Sequence, residues 1–449
     1  MRESLLHRHL KRKYPVAARG EGVWLYDDSG KKYLDAAGGA AVVSVGHGVR
    51  EVIAAMGRQA RQVAFVHSSQ FTTAAARKFS RLLRSLAPGQ LRKSGRVFFT
   101  SGGSEATESA IKLVRQYWLE RGEPSRFKIL SRWSSYHGAT LGALGLSGNQ
   151  RRRETFLPLL VEQGHIAPCY CYRCPFGLEF PACELKCAHD LNQMIETQGP
   201  ETVAAFIFEP IVGATNGAVP PDGYVKTIRE ICDRHGILLI ADEVMTGLGR
   251  TGRNFAVDHW GVVPDIILMG KGLSSGYAPL GAVLASEEIC QVLERGSGHY
   301  SHGFTYSAHP VSVAAGLAVQ KWIARNNLVE QCARQGDYLA RRLEELRSFP
   351  MVGDVRGKGL LQTVEFVQER ATRQPFPAGA QVIERLDEKL REAGVNAYPM
   401  KGCADGSAGD HFLLAPPFVI SQAEIDFLVD ALAAVIGSAQ EAFPGSGPR

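Results

Sequence analysis

Residues 237–252 read ILLIADEVMTGLGRTG, and residues 266–273 read IILMGKGL. Each stretch opens with an uninterrupted apolar run, which is typical of a strand buried on both faces of a parallel sheet. Asp242 follows the first run, and Lys271 follows the second after Gly270. Because ligands in open α/β sheets bind outside the carboxyl ends of the strands, we expect both side chains to lie at a ligand site.

Further apolar runs predict strands on either side of these two. The runs are Arg96–Thr100, Phe127–Ser131, Val203–Phe208 and Ala282–Ala285. Helical patterns lie between several of them: one follows Gly103, and another is predicted to begin at a cap on Asp222 and to end at Gly236. This alternation predicts an α/β fold with a mainly parallel sheet that helices cover on both faces.

Both ends of the chain differ from this central pattern. The N-terminal part contains an alternating segment with a turn at Asp28–Gly30, whereas long amphipathic helical patterns follow residue 325. The predicted domains are a large one, 66–322, and a small α+β one that combines 1–65 with 323–449. The Gly- and Pro-rich end, Phe443–Arg449, is expected to fray.

Composition narrows the classes of function. The chain has 449 residues, 45% of them hydrophobic and 21% charged, with a formal net charge of +6. This ordinary globular composition excludes global disorder, and no basic, aromatic-rich pattern indicates a nucleic-acid partner. No apolar run approaches the roughly 18 residues of a membrane span. The basic N-terminus lacks the apolar segment of a secretory signal, so we expect a cytoplasmic protein; a transit peptide is the alternative.

A glycine-rich turn, TSGGSEA at residues 100–106, joins a predicted strand to a helix. Its backbone N–H groups lie at the positive end of the helix dipole, where they can bind a phosphate, and the Ser104 hydroxyl adds a donor. On this motif alone, an ordinary glycine-rich turn is the alternative.

A phosphate site, the Asp242 carboxylate and the Lys271 amine together meet the needs of pyridoxal phosphate. This cofactor requires an anion site, an acid partner for its ring nitrogen and an amine that traps its aldehyde. A buried lysine has a depressed pKa, which favours Schiff-base formation.

The order and spacing of the motifs resemble those of class III pyridoxal-phosphate-dependent aminotransferases over nearly the whole chain. The resemblance rests on GVWLYDDSGKKYLD (22–35), SGGSEATESAIKL (101–113), SYHGAT (135–140), FEPIVGATNGAVPPDGY (208–224), ADEVMTGLGRTG (241–252), PDIILMGKGLSSGYAPLGAV (264–283), TYSAHPVSVAA (305–315), DVRGKGLL (354–361) and APPFVI (415–420). It implies fold type I, in which the large domain has a mainly parallel sheet of seven strands.

The resemblance implies that two residues are catalytic. Lys271 would hold the cofactor as a Schiff base and shuttle the proton, and Asp242 would keep the ring nitrogen protonated. The implied cofactor-binding residues are Gly103, Ser104, Tyr136, His137, Glu209, Asp242, Val244, Lys271 and Thr305.

The family's pattern also implies positions around the ring. Gly103 and Ser104 would bind the phosphate, and Val244 would pack on one ring face. Tyr136 would stack on the opposite face with His137 beside it, although a turn that packs on the sheet is the alternative for this pair.

Three further positions follow from the resemblance. Thr305 would reach the phosphate of the other subunit, which implies a homodimer with shared active sites. Glu209 would lie near the ring hydroxyl or pair with a mobile arginine. Met245 departs from the pattern, because many members have a glutamine there, near the cofactor's 3′-oxygen.

The segment expected to bind the carboxylate of the acceptor also departs from the family's pattern. In the subgroup that handles ω-amines with pyruvate, a mobile arginine before the APPFVI segment binds this carboxylate. No arginine lies between Gly394 and Pro417, where Lys401 and His411 are the basic side chains. We hypothesise that Lys401 makes a weaker, less directional contact with the carboxylate. A solvated loop lysine is the alternative.

Five cysteines lie between Cys169 and Cys187, with the spacing C-x-C-x2-C-x8-C-x3-C. Such spacings are tolerable for a structural zinc. In a cytoplasmic chain we predict an ordered loop of free thiols and no metal, with zinc as the alternative.

The function predicted from the sequence is amino-group transfer from an amine or ω-amino acid to pyruvate or 2-oxoglutarate. An amino-acid racemase or epimerase of the same fold would use the same lysine and remains an alternative. A Rossmann-type nucleotide binder with a zinc loop is disfavoured, because GGSEA is not G-x-G-x-x-G and because this function leaves Lys271 without a role.

Overall fold

The computed structural model describes residues 4–440, so the predicted fraying of Phe443–Arg449 lies outside the described part of the chain. The strands are β1 (Ala17–Glu21), β2 (Trp24–Asp27), β3 (Lys32–Asp35), β4 (Arg96–Thr100), β5 (Lys128–Arg132), β6 (His165–Ile166), β7 (Val203–Phe208), β8 (Leu238–Asp242), β9 (Ile266–Met269), β10 (Gly281–Ala285), β11 (Val352–Lys358), β12 (Leu361–Phe366), β13 (Val395–Asn396), β14 (Tyr398–Lys401) and β15 (Asp410–Leu414). The helices are α1 (Gly38–Ala41), α2 (Arg50–Gln62), α3 (Ala74–Leu86), α4 (Gly89–Ser94), α5 (Gly103–Glu120), α6 (Leu141–Leu146), α7 (Gln150–Arg153), α8 (Lys186–Gln198), α9 (Tyr224–His235), α10 (Glu287–Arg295), α11 (Pro310–Arg325), α12 (Leu328–Glu344), α13 (Val382–Glu392) and α14 (Gln422–Gln440).

Within the described residues, seven strands form the central sheet in the order β4-β10-β9-β8-β7-β5-β6. The strands from β6 to β9 pair in parallel, whereas β10 runs antiparallel to both β4 and β9. The chain between Met269 and Gly281 contains no α-helix and is too short for the crossover that a parallel neighbour of β9 requires. The predicted α/β fold with a mainly parallel sheet is confirmed.

The two faces of the sheet have separate apolar cores. Leu239 packs with residues of α8 and α9 on one face. Its neighbour Ile240 packs with residues of α5 and α10 on the other. This alternation follows from the two-residue repeat of a strand, and it confirms that helices cover both faces.

Most of the predicted strands have the predicted bounds or differ by one residue. Asp242 is the last residue of β8 rather than the residue after the strand. The predicted cap on Asp222 is wrong. Gly223 precedes α9 in a left-handed conformation with a φ of 89°, and no side chain caps the helix. The predicted end of this helix at Gly236 is confirmed.

The chain ends form two smaller sheets. One has the order β1-β2-β3-β13, in which β3 from the N-terminal part pairs in parallel with β13 from the C-terminal part. The other has the order β11-β12-β15-β14. Helix α11 spans residues on both sides of the predicted boundary at 322, so the domain limits stay predictions.

None of the helices within residues 4–440 combines the length and the apolarity that a membrane crossing requires.

Candidate active site

Lys271 and Asp242 lie at one edge of the central sheet, at the carboxyl ends of neighbouring strands. Asp242 ends β8, where it pairs with Leu268 of β9, and Lys271 follows β9 after Gly270. Lys271 has a φ of 39°, which is a strained left-handed conformation for a residue other than glycine. Strain of this kind is concentrated at functional sites.

The amine of Lys271 lies in an environment that disfavours its charge. Burial lowers its pKa below the usual value of a lysine. Asp242 and Glu209 oppose this shift, and the positive charge of Arg152 adds to it. An amine with a lowered pKa is more often neutral, as a nucleophile or a base must be.

The carboxylate of Asp242 is buried and accepts hydrogen bonds on both oxygens. Its Oδ2 lies 2.7 Å from Nδ1 of His137, and its Oδ1 accepts a bond from the N–H of Val244 at 3.1 Å. The Nε2 atom of His137 is also buried and has no hydrogen-bond partner within residues 4–440. The two bonds fix the direction of the Asp242 carboxylate.

Glu209 follows β7 and joins two loops at the same edge of the sheet. Its Oε1 accepts a bond from the N–H of Tyr136, and its Oε2 accepts one from the N–H of Gly213, both at 2.9 Å. Burial raises the pKa of Glu209; His137 and the two N–H groups oppose this rise, and Asp242 adds to it. Glu209 therefore sets the position of Tyr136.

The turn that contains Tyr136 and His137 packs on the N-terminus of α5. Oγ of Ser104 accepts a hydrogen bond from the N–H of Ala139 at 3.0 Å. A Cβ atom on Gly138 would lie 2.7 Å from this oxygen, and Gly138 has a φ of 144°, so only glycine suits the position.

Val244 fills the space between the N-terminus of α5 and the residue before Lys271. A Cβ atom on Gly103 would lie 2.8 Å from Cγ1 of Val244, and one on Gly270 would lie 3.1 Å from the same atom. The first N–H groups of α5 have no partner within the helix, so they are available to an anion beside this contact.

The structure thus brings together most of the predicted site residues: Gly103, Ser104, Tyr136, His137, Glu209, Asp242, Val244 and Lys271. Thr305 is the exception. It is exposed, and within the described part of the chain its side chain makes none of the hydrogen bonds that link the others. The role of Thr305 at a second subunit stays a prediction.

Sequence reasoning missed Arg152. Its guanidinium carbon lies 4.3 Å from the centre of the Tyr136 ring. The run Arg151–Arg153 is a signal in the sequence, but it does not tell which of the three arginines faces the site. Arg153 bonds to the carbonyl of Ser147 and to His165, so it has a structural role.

Met245 and Lys401, the two residues that depart from the family's pattern, each contact another residue of this chain. The thioether of Met245 is buried and packs on Gly213, where a Cβ atom would collide with its sulfur. Lys401 lies in β14 rather than in a flexible loop, and its Nζ lies 2.5 Å from Oε1 of Glu384.

Four cysteines, Cys171, Cys174, Cys183 and Cys187, line one small cavity. All nine cysteines of the chain are free thiols. Burial raises the pKa of Cys171 to about 11 and that of Cys187 to about 12, so both stay protonated at neutral pH. Within residues 4–440, no three His, Cys, Asp or Glu side chains are grouped to hold a metal ion. That this segment binds no metal stays a prediction.

The residues at the sheet edge fit pyridoxal phosphate. The N-terminus of α5 offers N–H groups and the Ser104 hydroxyl to a phosphate, Asp242 offers a buried carboxylate to a ring nitrogen, and Lys271 offers an amine with a lowered pKa. The unpartnered Nε2 of buried His137 lies in the same group.

Comparisons with known proteins agree with this geometry. The family model for aminotransferase class-III matches residues 8–436. The uncharacterized aminotransferase YodT of Bacillus subtilis is 40% identical over 443 residues, which are 98% of this chain and 99% of that protein. The putrescine–pyruvate aminotransferase of Pseudomonas aeruginosa is 36% identical over 423 residues, 92% of this chain and 88% of that protein.

A solved structure supports the same family. The amine transaminase of an uncultivated Pseudomonas species, in its pyridoxal-phosphate-bound form, has a TM-score of 0.91 and 35% identity, and the match covers 97% of this chain and 99% of that one. From these matches we conclude that this chain belongs to the class III aminotransferases, enzymes of fold type I that use pyridoxal phosphate.

Proposed function

We propose that this aminotransferase moves an amino group from an amine or an ω-amino acid to a 2-keto acid, pyruvate or 2-oxoglutarate, in a ping-pong reaction. It would act as a cytoplasmic homodimer in which Thr305 of each subunit reaches the cofactor phosphate of the other. The name of the putrescine–pyruvate relative supports the proposed donor and acceptor. The exposure of Thr305 supports its contact with a second subunit.

One observation carries the proposal: the Lys271 amine and the Asp242–His137 pair lie at the same sheet edge as the N-terminus of α5. When bound, pyridoxal phosphate supplies an aldehyde that condenses with amines and a protonated ring that withdraws electrons. Gly103 and Ser104 would hold its phosphate, and Asp242 would hold the proton of its ring nitrogen.

Lys271 would move the substrate proton. Its Nζ would take the proton from the carbon that bears the amino group and would deliver it, across the nitrogen, to the cofactor's aldehyde carbon. The lowered pKa suits both transfers. Val244 and Tyr136 would confine the ring between them and exclude water from the reacting carbon. The keto acid would take up the amino group through the same steps in reverse.

The test is a panel of donors with separated half-reactions. The purified holoenzyme is mixed with putrescine, β-alanine, 4-aminobutyrate or taurine without a keto acid, and the absorbance of the cofactor is followed. We expect at least one donor to convert the cofactor to its amine form, and pyruvate or 2-oxoglutarate to restore the original spectrum with formation of alanine or glutamate.

Two outcomes would contradict this proposal. Inversion of an amino acid without any requirement for a keto acid would indicate the racemase or epimerase alternative. A cofactor that stays in its aldehyde form with every amine would exclude donors of this class.

A further inference from the structure

The Asn149 side chain anchors the backbone of Arg152, whereas the Arg152 side chain makes no hydrogen bond within residues 4–440. The Asn149 side chain accepts a bond from the N–H of Arg152 at 3.1 Å, and the amide of Asn149 donates to Oγ1 of Thr215 at 3.3 Å. Within residues 4–440, none of the five N–H groups of the Arg152 guanidinium donates to another residue, and no carboxylate lies within ion-pair distance. A half-buried arginine without a partner is available to bind an anion.

The guanidinium of Arg152 lies inside the candidate site. It lies 4.3 Å from the centre of the Tyr136 ring, and the N–H of Tyr136 is fixed by Glu209. The charge of Arg152 also acts on the amine of Lys271, where it adds to the effect of burial. An anion bound by Arg152 would therefore lie beside Tyr136, in the same site as the amine of Lys271.

The C-terminal segment, where the resemblance places a carboxylate-binding arginine, approaches the helix that carries Arg152. Lys401, the cation expected there, is paired with Glu384. The loop after Lys401 lies on the N-terminal end of α7, because a Cβ atom on Gly406 would lie 2.7 Å from Oε1 of Gln150. Arg152, two residues after Gln150, thus lies near the C-terminal segment, which contains no arginine between Gly394 and Pro417.

We propose that Arg152 binds the carboxylate of the 2-keto acid and of the amino acid formed from it. This inference rests on the proposed function and names the residue that selects the acceptor. A guanidinium offers a carboxylate two parallel N–H bonds, which fix both the position and the direction of the keto acid.

The first experiment measures acceptor kinetics. The amine form of the holoenzyme is mixed with pyruvate or with propanal, which has a reacting carbonyl but no carboxylate. In Arg152→Gln we expect the concentration of pyruvate at half-maximal rate to rise about ten- to a hundredfold, while the rate with propanal changes by less than about twofold. Arg152→Lys should lie between these values, because an ammonium lacks the bidentate fork.

Neighbouring residues provide matched controls. Arg151→Gln removes an exposed arginine one position away, and Lys401→Met removes the cation paired with Glu384. We expect both variants to keep the wild-type response to pyruvate. Equal losses with pyruvate and propanal in Arg152→Gln would show that Arg152 only positions Tyr136. A weakened response to pyruvate in Lys401→Met, with a normal response in Arg152→Gln, would assign the carboxylate contact to Lys401. Either result overturns the inference.

The second experiment needs no turnover. Binding of propanoate, an unreactive short carboxylate, is measured by calorimetry on the holoenzyme. We expect its Kd to rise about tenfold or more in Arg152→Gln and to stay unchanged in Arg151→Gln, while the Kd of the cofactor is the same in all three proteins. An unchanged propanoate Kd, or a weakened cofactor, would overturn the inference. If binding depends on Arg152 but no donor reacts, the proposed function fails and the carboxylate site stands.

Discussion

Nδ1 of His137 lies 2.7 Å from Oδ2 of Asp242, and both side chains are buried. The backbone of His137 is fixed on two sides: its N–H donates to Oγ of Ser147 at 2.8 Å, and its carbonyl accepts from Oγ1 of Thr107 at 2.7 Å. The imidazole is therefore held against the carboxylate by helix α5 and by the end of helix α6. Through this contact, His137 fixes the direction of Asp242.

His137→Gln should lower kcat by about ten- to a hundredfold, because the hydrogen bond to a buried charged group is lost. We expect KM for the donor to change little and the pH profile of kcat to shift, since the effect acts through Asp242. His259→Gln is the control, because His259 bonds only to Thr251 within the described residues. Equal losses in the two variants would contradict this positioning role.

Lys271→Ala should lower turnover by at least about 10⁴-fold, because neither a base nor a Schiff-base amine remains. The N-terminus of α5 and Asp242 are unchanged in this variant, so the folded protein should still bind some cofactor, with a changed absorbance. Lys226→Ala, on the exposed face of α9, should behave as the wild type. Multiple turnover of Lys271→Ala near the wild-type rate would exclude Lys271 as the catalytic amine.

Asp242→Asn should bind the cofactor and lose about 10²- to 10³-fold or more in kcat, because a neutral amide no longer stabilises a protonated ring nitrogen. The amide keeps the shape of the carboxylate, so the melting temperature should change by only a few degrees. A loss below about tenfold would show that Asp242 is not the partner of the ring nitrogen.

Gly103→Ala should raise the Kd of the cofactor about tenfold. The added Cβ would lie 2.8 Å from Cγ1 of Val244, so either the N-terminus of α5 or Val244 must shift, at a cost typical of overpacking. Gly102→Ala is the matched control, since its Cβ would contact no atom of residues 4–440 within 4 Å. The double variant Gly103→Ala/Val244→Ala should recover part of the affinity. Equal effects of the two glycine variants in a fluorescence titration would contradict this steric account.

Glu243 should make stability depend on pH. Burial raises its pKa to about 7, although bonds from Thr246 and from the N–H of Val257 oppose the rise. Between about pH 4.3 and 7 the folded state binds more protons here than the unfolded state does, so stability falls as pH rises through this window. The full loss, about 4 kcal/mol, is reached once the pH lies well above 7.

Glu243→Gln imitates the protonated carboxyl and should remove this dependence. We expect the wild-type melting temperature to fall about 4 °C more than that of the variant between pH 4 and pH 8.5. Glu230→Gln, at an exposed position on α9, is the control and should follow the wild type. Parallel melting curves for Glu243→Gln and the wild type would show that Glu243 is charged in the folded protein at neutral pH.

The strands of the central sheet were predictable because their burial on both faces leaves uninterrupted apolar runs, as in Val203–Phe208 and Ile266–Met269. The reversed direction of β10 was not, because neither direction changes the apolarity of Gly281–Ala285. The predicted cap on Asp222 was wrong for a related reason. Aspartate is a residue type that can cap a helix, but the left-handed backbone of Gly223 sets where α9 begins.

The sequence by itself determined which chemical groups are present and in what order: the glycine-rich turn at Gly103–Ser104, the carboxylate of Asp242 and the amine of Lys271. These residues lie at strand ends, and parallel strands bring such ends to one edge whatever the details of packing. Only the tertiary structure decided which of the cations form ion pairs. Lys401 and Arg152 are both cations, but Lys401 is paired with Glu384, whereas Arg152 lies over Tyr136 without an ion-pair partner within the described residues. Pairing depends on distances between side chains far apart in the chain, and residue order alone does not contain those distances.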